Sequence, residues 1–193
     1  MISEKRNSNC GLLDVVNAGE RVVLCGWVSK RRDHGGLIFV DLRDRSGIVQ
    51  IVVDPEAAGP VNFKTAEDIR NEYVIKVMGD VRTRDEAAIN PNLASGKIEV
   101  LAREIEVLNK AKTPPFYLQD GIDTDENIRL KYRYLDLRRP EMQKNLILRH
   151  KVTKLMRDYL DKRDFLEIET PMLCKSTPEG ARDYLVPSRV NPG

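Results

Sequence analysis

The sequence has few metal-binding side chains, and they are too widely spaced to form a metal site or a disulfide framework. Its three cysteines are Cys10, Cys25 and Cys174, and its two histidines are His34 and His150. No CxxC pair or Cys/His cluster occurs, whereas structural zinc sites use four N or S ligands at short spacings. The sequence therefore predicts no metal site, and it predicts unpaired thiols in a reducing compartment.

Long apolar runs are absent as well. No segment approaches the roughly 18 to 20 consecutive apolar residues that a membrane-spanning helix requires. The first residues, MISEKRNSNCG, contain no apolar core of a secretory signal. Hydrophobic residues make up 41% of the chain and charged residues 32%, which is typical of a soluble folded protein. These features predict a cytoplasmic protein without a membrane partner.

Charge of one sign is not in large excess, because the formal net charge is only +2. The average charge therefore does not indicate a nucleic-acid-binding protein. The cations are instead clustered, in Lys30–Arg32, in Arg43 and Arg45, in Arg82 and Arg84, and in Lys131–Pro140. Local basic patches can bind phosphate groups even when the net charge is small. A solvated surface explains any one of these clusters equally well.

The first part of the chain follows a strand-and-turn pattern. Five segments are rich in β-branched and apolar residues, namely Arg21–Lys30, Gly36–Arg43, Gly47–Val53, Tyr73–Arg84 and Lys97–Leu108. A short helical segment, Asn62–Arg70, lies between the third and the fourth. Three strands, a helix and two strands are the order of an OB-fold barrel, whose outer face and loops commonly bind single-stranded nucleic acid. We therefore predict a mainly β domain with a five-stranded OB-fold barrel, although an SH3-like barrel or another small β fold fits the same pattern.

The residue pattern after the fifth predicted strand indicates where the barrel domain ends and how the rest of the chain is organised. The predicted domains are residues 1–108 for the barrel, residues 109–140 for a linker or hinge, and residues 141–193 for a further part. The linker is predicted because two prolines and alternating polar residues occur in KAKTPPFYLQDGIDTDEN. No internal repeat or low-complexity tract occurs.

Helical periodicity begins at Glu141. Four apolar residues recur at spacings of four, three and four, namely Leu148, Val152, Leu155 and Tyr159. They predict a helix to about Arg163, followed by a strand at Phe165–Thr170 and a loop rich in Gly, Pro and charge. Because a single helix and a single strand offer little to pack against, we expect the apolar face of this helix to remain exposed.

Strand alternation predicts which side chains face out of the barrel. The inward set comprises Ile38, Val40, Leu42, Val49, Ile51, Val53, Ile75, Val77 and Val81. The outward set comprises Leu37, Phe39, Asp41, Arg43, Ile48, Gln50, Val52, Lys76, Arg82 and Arg84. An aromatic ring, an amide and several cations thus share one outer surface.

This combination of side chains suits an unpaired nucleobase. An aromatic ring such as that of Phe39 offers a stacking platform worth roughly 1 to 3 kcal/mol per base. The amide of Gln50 can pair with a base edge, and arginines can hold phosphates or bind guanine. The alternative is that Phe39 packs under another segment, as isolated aromatic residues more often do.

Four segments resemble the bacterial-type aspartyl-tRNA synthetases, which are class II aminoacyl-tRNA synthetases. Cys25–Pro55 is similar to the anticodon-binding domain, and Leu130–Met142 is similar to the hinge. FLEIETPML, at Phe165–Leu173, resembles class II motif 1, and TPEGARDYLVPSR, at Thr177–Arg189, resembles the mobile loop near the amino-acid pocket. The resemblance implies an OB-fold anticodon-binding domain, a hinge, and the first helix and strand of a truncated α+β catalytic domain.

The resemblance also implies roles for individual residues. Phe39 would stack on the central anticodon base, and Gln50 would read the edge of that base. The remaining anticodon-binding residues would be Lys30, Arg32, His34, Arg82, Arg84 and Glu99. Pro171 matches the motif 1 proline of the dimer interface, and Glu179 matches an acidic residue that helps to hold the substrate aspartate.

The function implied by the resemblance is the ATP-dependent attachment of aspartate to tRNA(Asp) by a homodimer that uses ATP and Mg. Asp33–Gly36 resembles enzymes that charge both tRNA(Asp) and tRNA(Asn), because strict bacterial enzymes tend to carry leucine at the position of His34. The loop DEAAINPN also has small, neutral residues at positions where a strict enzyme can carry lysine and asparagine. Motifs 2 and 3 lie beyond Gly193 in full-length relatives, so the chain alone is expected to bind no cofactor and to be inactive.

Two other classes of function remain open at this stage. A stand-alone OB-fold module that binds single-stranded nucleic acid fits the strand pattern, and a partner-docking module that regulates a full-length synthetase fits the motif 1 segment. Lysyl and asparaginyl synthetases share the architecture but not the combined motifs. The segments ETPML and TPEGARDYLVP favour the ligase, because a simple binding module needs neither a dimer-interface strand nor an amino-acid loop. We expect no DNA partner.

Overall fold

A computed structural model describes residues 2–173 and 186–190. The chain forms two compact units, Met1–Tyr117 and Leu118–Gly193. The first unit contains five strands: β1 (Arg21–His34), β2 (Leu37–Arg43), β3 (Ile48–Val53), β4 (Val74–Thr83) and β5 (Ile98–Asn109). They close into a barrel in the order β1-β2-β3-β5-β4. Only the β3–β5 pair in this barrel is parallel. The five-stranded OB-fold barrel expected from the sequence is thus confirmed.

The inward-facing residues form the barrel core. All nine side chains of the predicted inward set are at most 2% exposed and belong to one hydrophobic cluster. The prediction for Val52 is wrong in one respect, because this outward residue is fully buried. Val52 lies opposite Phe39 on β2 and Leu101 on β5, and neighbouring strands on both sides of β3 shield its small side chain from water.

Strand β1 changes the direction of its side chains partway along. It pairs with β4 from Arg21 to Trp27 and with β2 from Trp27 onwards, and the second pairing shifts register between Val28 and Lys30. The residue between them, Ser29, is therefore the extra residue of a β-bulge. After the bulge, Arg32 lies opposite Phe39. The bulge thus brings Arg32 onto the outer face that carries Phe39.

The hairpin between β1 and β2 is longer than the sequence pattern indicates. Strand β1 continues to His34, beyond the predicted end at Lys30. Gly35 and Gly36 form the two-residue connection, with φ angles of 61° and 78°. Two-residue hairpin turns of this type need positive φ at both central positions, which glycine adopts without steric cost. As a result His34 lies on a paired strand and not in a loop.

The helix α1 (Pro55–Asp68) connects β3 to β4, and it begins seven residues before the predicted helix. The side chain of Asp54 accepts a hydrogen bond from the Glu56 N–H, and Pro55 occupies the first turn. Both are helix start signals. The kink at Gly59, with a φ of 76°, interrupts the helical periodicity and hides the first turn from a pattern search.

In the described residues of the second unit there are three helices: α2 (Glu126–Lys131), α3 (Arg133–Asp136) and α4 (Pro140–Asp161). The first two lie within the segment predicted as a hinge. The fully buried carboxylate of Asp136 accepts hydrogen bonds from Arg133 and Arg139. A carboxylate shared by two guanidinium groups compensates the cost of its own burial. In the described part of the chain, no helix is long and apolar enough to cross a lipid bilayer.

The strand predicted at Phe165–Thr170 is absent, because residues 165–170 have no regular secondary structure. A strand forms only where another strand satisfies its backbone N–H and C=O groups. Within residues 2–173 and 186–190, no segment pairs with it. The predicted helix does form, and no residue of α4 is buried. Leu155 is 68% exposed and Met156 is 61% exposed, so the expectation of an exposed apolar face is confirmed.

Two neighbouring residues of β2 test the assignment of the barrel faces. We expect Ile38→Ala to lower the free energy of unfolding by about 2 to 5 kcal/mol, because it leaves a cavity in the core. Phe39→Ala should cost less than half as much, because Phe39 is partly exposed and lies outside the core cluster. Urea unfolding followed by the fluorescence of Trp27, the single tryptophan, measures both losses. Equal losses would show that Phe39 is a core residue.

Candidate nucleic-acid interface

An open cavity lies on the outer face of the barrel. Its volume is about 590 Å³, within the range of roughly 300 to 1,000 Å³ that is usual for small-ligand sites. The residues that line it come from β1, β2, β3 and the segment that follows β4: Arg32, Asp33, His34, Phe39, Gln50, Arg84, Ala88 and Asn90. Five of these are residues that the sequence analysis assigned to anticodon binding, namely Arg32, His34, Phe39, Gln50 and Arg84.

Phe39 and Gln50 are diagonal neighbours on this face. Phe39 lies opposite Val52, and Gln50 lies opposite Asp41. Diagonal neighbours on adjacent antiparallel strands are typically about 7 to 8 Å apart, within reach of aromatic and long side chains. Phe39 is partly exposed, whereas Gln50 is only 8% exposed. A planar ligand that stacks on the ring of Phe39 would therefore bring its edge towards the amide of Gln50.

A chain of hydrogen bonds holds the polar side chains in place. Arg32 donates from Nη2 to Asp41 Oδ1 at 2.8 Å and to Gln50 Oε1 at 3.2 Å. Gln50 Nε2 donates to Glu99 Oε2 at 3.1 Å, and Arg82 Nε donates to Glu99 Oε1 at 2.7 Å. Donors and acceptors alternate along this series of hydrogen bonds, from Asp41 at one end to Arg82 at the other. It therefore fixes the side chains before any ligand binds.

Arg84 combines deep burial with an unused donor. Its side chain is 4% exposed, its Nε donates to the carbonyl of Ile98 at 2.8 Å, and its Nη1 donates to the carbonyl of Ala88 at 3.3 Å. Nη2 is buried and finds no acceptor among the described protein atoms. Burial lowers the pKa of the Arg84 guanidinium, and the nearby carboxylate of Glu99 opposes this change.

A buried donor without a partner costs about 1 to 3 kcal/mol, and native proteins contain few of them. Arg84 also lines the cavity, although its Nη2 atom itself has almost no exposed surface. The buried guanidinium of Arg84 therefore forms a fixed, positively charged part of the cavity wall.

The connection between β4 and β5 forms one wall of the cavity. The N–H of Asn90 donates to the carbonyl of Gly96 at 3.1 Å, and the hydroxyl of Ser95 donates to the carbonyl of Ile48 at 2.6 Å. A Cβ atom at Gly96 would overlap the carbonyl oxygen of Asn90, so the chain folds back here without room for a side chain. This tight turn positions Ala88 and Asn90 on the cavity.

The cavity lining carries charges of both signs. The guanidinium groups of Arg32 and Arg84 line it together with the carboxylate of Asp33. Arg32 and Arg82 remain about half exposed, at 45% and 46% of their side chains. Since the cavity itself is not strongly basic, recognition of a base fits it better than recognition of a phosphate. The exposed guanidinium groups at its edge can still contact a phosphate backbone.

The other predicted site residues lie elsewhere. Arg82 and Glu99 do not line the cavity and act on it through Gln50 and Arg84, and Lys30 is exposed on β1 outside the lining. Pro171 is exposed in the second unit, and Glu179 lies outside the described residues. Sequence reasoning missed Asp41 as the partner of Arg32, although alternation placed Asp41 on the same face. It singled out the loop DEAAINPN that contains Asn90, but it did not name Asn90 as a site residue.

Cysteines and metal-binding groups offer no alternative site in the part of the chain that the structure describes. Burial raises the pKa of the Cys10 thiol, and Asp44 raises it further. Cys10 and Cys25 are free thiols. Among residues 2–173 and 186–190, no group of three or more His, Cys, Asp or Glu side chains is placed to hold a metal ion. The cavity around Phe39 is therefore the site whose residues best suit a ligand.

Two protein-family models match the chain. Residues 22–108 match the OB-fold nucleic acid binding domain, and residues 125–193 match the class II tRNA synthetases (D, K and N). The first match covers all five strands except their outermost residues, Arg21 and Asn109, and it covers all residues of the cavity.

Curated proteins match almost the whole chain. The aspartate–tRNA(Asp/Asn) ligase of Heliobacterium modesticaldum is 66% identical over 189 residues, which are 98% of this chain and 31% of that protein. The aspartate–tRNA ligase of Geobacillus kaustophilus is 60% identical over 189 residues, which are 98% of this chain and 32% of that protein. The chain thus spans about a third of the length of these relatives.

A solved structure is also similar. The asparaginyl-tRNA synthetase from Pyrococcus horikoshii, complexed with asparaginyl-adenylate, superposes with a TM-score of 0.80 at 28% sequence identity. The similarity covers 93% of this chain and 39% of that one.

Proposed function

The chain belongs to the aspartate–tRNA ligase family of class II aminoacyl-tRNA synthetases, and from this membership we propose that its barrel binds the anticodon loop of tRNA. The observation that carries the proposal is the cavity in which Phe39, Gln50 and Arg84 meet. Proteins recognise RNA sequence chiefly at unpaired loop bases, which they stack on aromatic rings and bind along the base edge.

Each member of the cavity has a role in this proposal. The ring of Phe39 stacks on the central anticodon base, and the amide of Gln50 pairs with the edge of that base. The guanidinium of Arg84 supplies positive charge in the cavity wall beside a neighbouring nucleotide. Arg32, Arg82 and Lys30 lie at the edge of the cavity, where they contact the phosphate backbone.

The whole protein is proposed to attach aspartate to tRNA(Asp) with ATP in the cytoplasm. ATP and Mg²⁺ belong to the catalytic domain of the family, and no described residues form a carboxylate cluster that would hold the ion. No step of anticodon binding depends on Mg²⁺ or ATP here. By itself the chain is proposed to bind RNA and not to form aspartyl-adenylate.

A stand-alone nucleic-acid-binding module accounts for the data less well. Such a module explains the barrel and its cavity, but it does not explain why residues 125–193 match the class II synthetases. The ligase assignment explains both units of the chain.

The central test of anticodon binding uses Phe39→Ala. We expect the chain to bind a tRNA(Asp) anticodon stem-loop, and we expect the variant to bind it roughly 5- to 150-fold more weakly, since stacking contributes roughly 1 to 3 kcal/mol per base. Changing the central anticodon base should weaken binding to the wild-type chain similarly. Fluorescence anisotropy of a labelled stem-loop measures both effects.

The matched control is Arg103→Ala, which removes a cation that pairs with Asp80 and does not line the cavity. It should leave affinity within about twofold, the scale of a surface substitution. Binding that ignores Phe39→Ala and the base change, and that weakens only with added salt, would identify a general electrostatic interaction and overturn the proposal.

We further propose that the parent enzyme charges tRNA(Asn) as well as tRNA(Asp). His34 is exposed and lines the cavity, and the loop residues Ala88 and Asn90 line it too. These residues are near the reading pocket of the central base, so they are in reach of an adjacent anticodon base. Relatives with 57% to 66% identity carry the name aspartate–tRNA(Asp/Asn) ligase, which supports the proposal.

Aminoacylation by the full-length enzyme tests this dual specificity. The wild-type enzyme should aspartylate transcripts of both tRNAs. His34→Leu should lower the rate with tRNA(Asn) roughly tenfold or more relative to the rate with tRNA(Asp), the scale of one base contact. No product with tRNA(Asn) from the wild-type enzyme would rule out dual specificity.

The second unit is proposed to form a homodimer interface. Helix α4 exposes a stripe that consists of Leu148, Val152, Leu155, Met156 and Tyr159, and these side chains are 48% to 68% exposed. Exposed apolar patches of this kind mark interaction surfaces. Pro171 comes after α4 in the chain and is exposed. The family resemblance implies a role for it in the same dimer interface.

Sedimentation velocity at increasing concentration tests self-association of the chain. We expect the wild-type chain to shift to a dimer as concentration rises, and Leu155→Glu to remain monomeric, because it places a charge in the apolar stripe. His150→Glu, on the opposite side of α4, is the control and should still dimerise. A wild-type chain that is monomeric at all concentrations would contradict the assignment of this surface.

A further inference from the structure

A second cavity of the barrel unit lies beyond the far end of β2, away from the hairpin that joins β1 to β2. Its volume is about 360 Å³. It is lined by residues of the segment before β1 and of the turn between β2 and β3: Arg6, Asn9, Asp44, Arg45 and Ser46. None of these residues lines the cavity around Phe39, so the two cavities are separate.

Close contact between the two segments fixes the shape of this cavity. The Cys10 N–H donates to Asp44 Oδ2 at 2.7 Å, and the Gly11 N–H donates to Ser46 Oγ at 2.7 Å. A Cβ atom at Gly11 would overlap the carbonyl oxygen of Ser46, so the two backbones touch directly. The segment before β1 is therefore held against the turn without the help of a ligand.

The carboxylate of Asp44 is occupied by the turn itself. Its Oδ1 accepts from the N–H and the hydroxyl of Ser46, and its Oδ2 accepts from the N–H of Cys10. Burial raises the pKa of Asp44, but these hydrogen bonds outweigh burial and hold the pKa below its ordinary value. Asp44 is therefore ionised at neutral pH, and its oxygens are used by groups other than the arginines of the cavity.

Arg6 and Arg45 differ in one respect from the other arginines of residues 2–117. Each of the others donates at least one hydrogen bond to a protein oxygen, namely Arg21, Arg31, Arg32, Arg43, Arg70, Arg82, Arg84 and Arg103. Within the described residues, the guanidinium groups of Arg6 and Arg45 donate no hydrogen bond and form no ion pair. The two arginines without an acceptor thus line the same cavity.

This set of side chains suits a phosphate group. A guanidinium presents a planar fork of N–H donors that matches the oxygens of phosphate, and such hydrogen bonds are charge-assisted. The side chain of Asn9 makes no cap hydrogen bond, so its amide is available as a further donor. A phosphate in the cavity would meet two unpaired cations, whereas the single carboxylate of the lining is already occupied.

The position of the cavity relative to Phe39 favours a phosphate of an RNA backbone. Strand β2 runs from Leu37 to Arg43, and the turn that contains Arg45 follows directly. At about 3.3 Å per residue, Phe39 and Asp44 are roughly 17 Å apart along the strand. Because RNA carries one phosphate per nucleotide, an RNA arm whose loop is bound at Phe39 has further phosphates at such distances from the stacked base.

We propose that Arg6, Asn9 and Arg45 form a second contact site of the barrel unit, which binds a backbone phosphate of the tRNA whose anticodon loop lies at Phe39. This inference rests on the proposed anticodon binding and adds a site outside the base cavity. Phosphate contacts fix the position of a nucleic acid on a protein but carry no sequence information. The site therefore contributes affinity and orientation, and it does not distinguish one base from another.

The salt dependence of binding to a complete tRNA(Asp) transcript tests the site. Each phosphate that a cation neutralises adds roughly 0.7 to 0.9 to the slope of log K against log salt concentration, because counterions are released. We expect Arg6→Gln and Arg45→Gln each to lower the magnitude of this slope by about that amount. Affinity at low salt should fall roughly three- to tenfold, the net scale of one hydrogen bond. Fluorescence anisotropy of the labelled transcript with the full chain measures both quantities.

The matched control is Lys5→Gln, which removes one positive charge next to Arg6. Lys5 is exposed and does not line the cavity, so its loss should leave the slope unchanged. Arg45→Lys keeps the charge but loses the planar fork, so it should keep the slope and lower the affinity. Phe39→Ala removes a stacking ring and no charge, so it should weaken binding without changing the slope.

Inorganic phosphate separates a site for the RNA backbone from a site for the free ion. A free-ion site would bind inorganic phosphate in the wild-type chain, lose this binding in Arg6→Gln, and leave the affinity for RNA unchanged in both glutamine variants. That result would overturn the assignment to the RNA backbone. Because Arg6 and Arg45 have exposed, unpaired side chains, urea unfolding followed by Trp27 fluorescence should show that their variants are as stable as the wild-type chain.

The outcomes distinguish this inference from the function on which it rests. A wild-type chain that does not bind the transcript overturns both. Binding that Phe39→Ala weakens, but whose slope is unchanged in Arg6→Gln and Arg45→Gln, overturns the inference alone. An equal loss of slope in Lys5→Gln would show diffuse electrostatic attraction and also overturns it. Binding that ignores Phe39→Ala, while both glutamine variants lower the slope, supports the phosphate site and contradicts the anticodon proposal.

Discussion

The parallel pairing of β3 with β5 is the interaction on which the barrel and its cavity both depend. Ile51 lies opposite Val100 and Val52 lies opposite Leu101, and this short contact closes the sheet on itself. Closure removes the inward side chains from water, which supplies the main stabilisation of the unit. It also brings Gln50 and Glu99, the residues that precede these two pairs, to a hydrogen-bonding distance of 3.1 Å. The core and the hydrogen-bond network at the cavity therefore form together.

The network at the cavity costs stability and is retained for its geometry. Burying Arg84 with one unused donor, and holding Glu99 among several cations, is less favourable than packing apolar side chains of similar size. In return, the polar groups are fixed in advance, so a bound nucleotide does not have to order them. His34, which is exposed at the edge of the cavity, lies outside this fixed centre.

Expectations from the sequence were correct where the local residue pattern decides the structure. They were wrong where the structure depends on pairing with another segment. Alternation along β2 identified Ile38 and Val40 as core residues and Phe39 as outward, because successive side chains of a strand must point to opposite faces. The strand at Phe165–Thr170 was wrong, because its backbone needs a neighbouring strand that this part of the chain does not provide. The periodicity of α4 was sufficient to identify the helix, because a helix satisfies its own hydrogen bonds.

The sequence by itself determined the barrel class, the faces of its strands and the chemical types available on the outer surface. It could not determine that Arg32, and not Arg31, lies beside Phe39, because the bulge at Ser29 reverses the side-chain alternation of β1. It also could not determine the orientation of the Gln50 amide or the unused donor of Arg84. Those features depend on groups up to 49 residues apart that meet only when the barrel closes, so only the tertiary structure decided them.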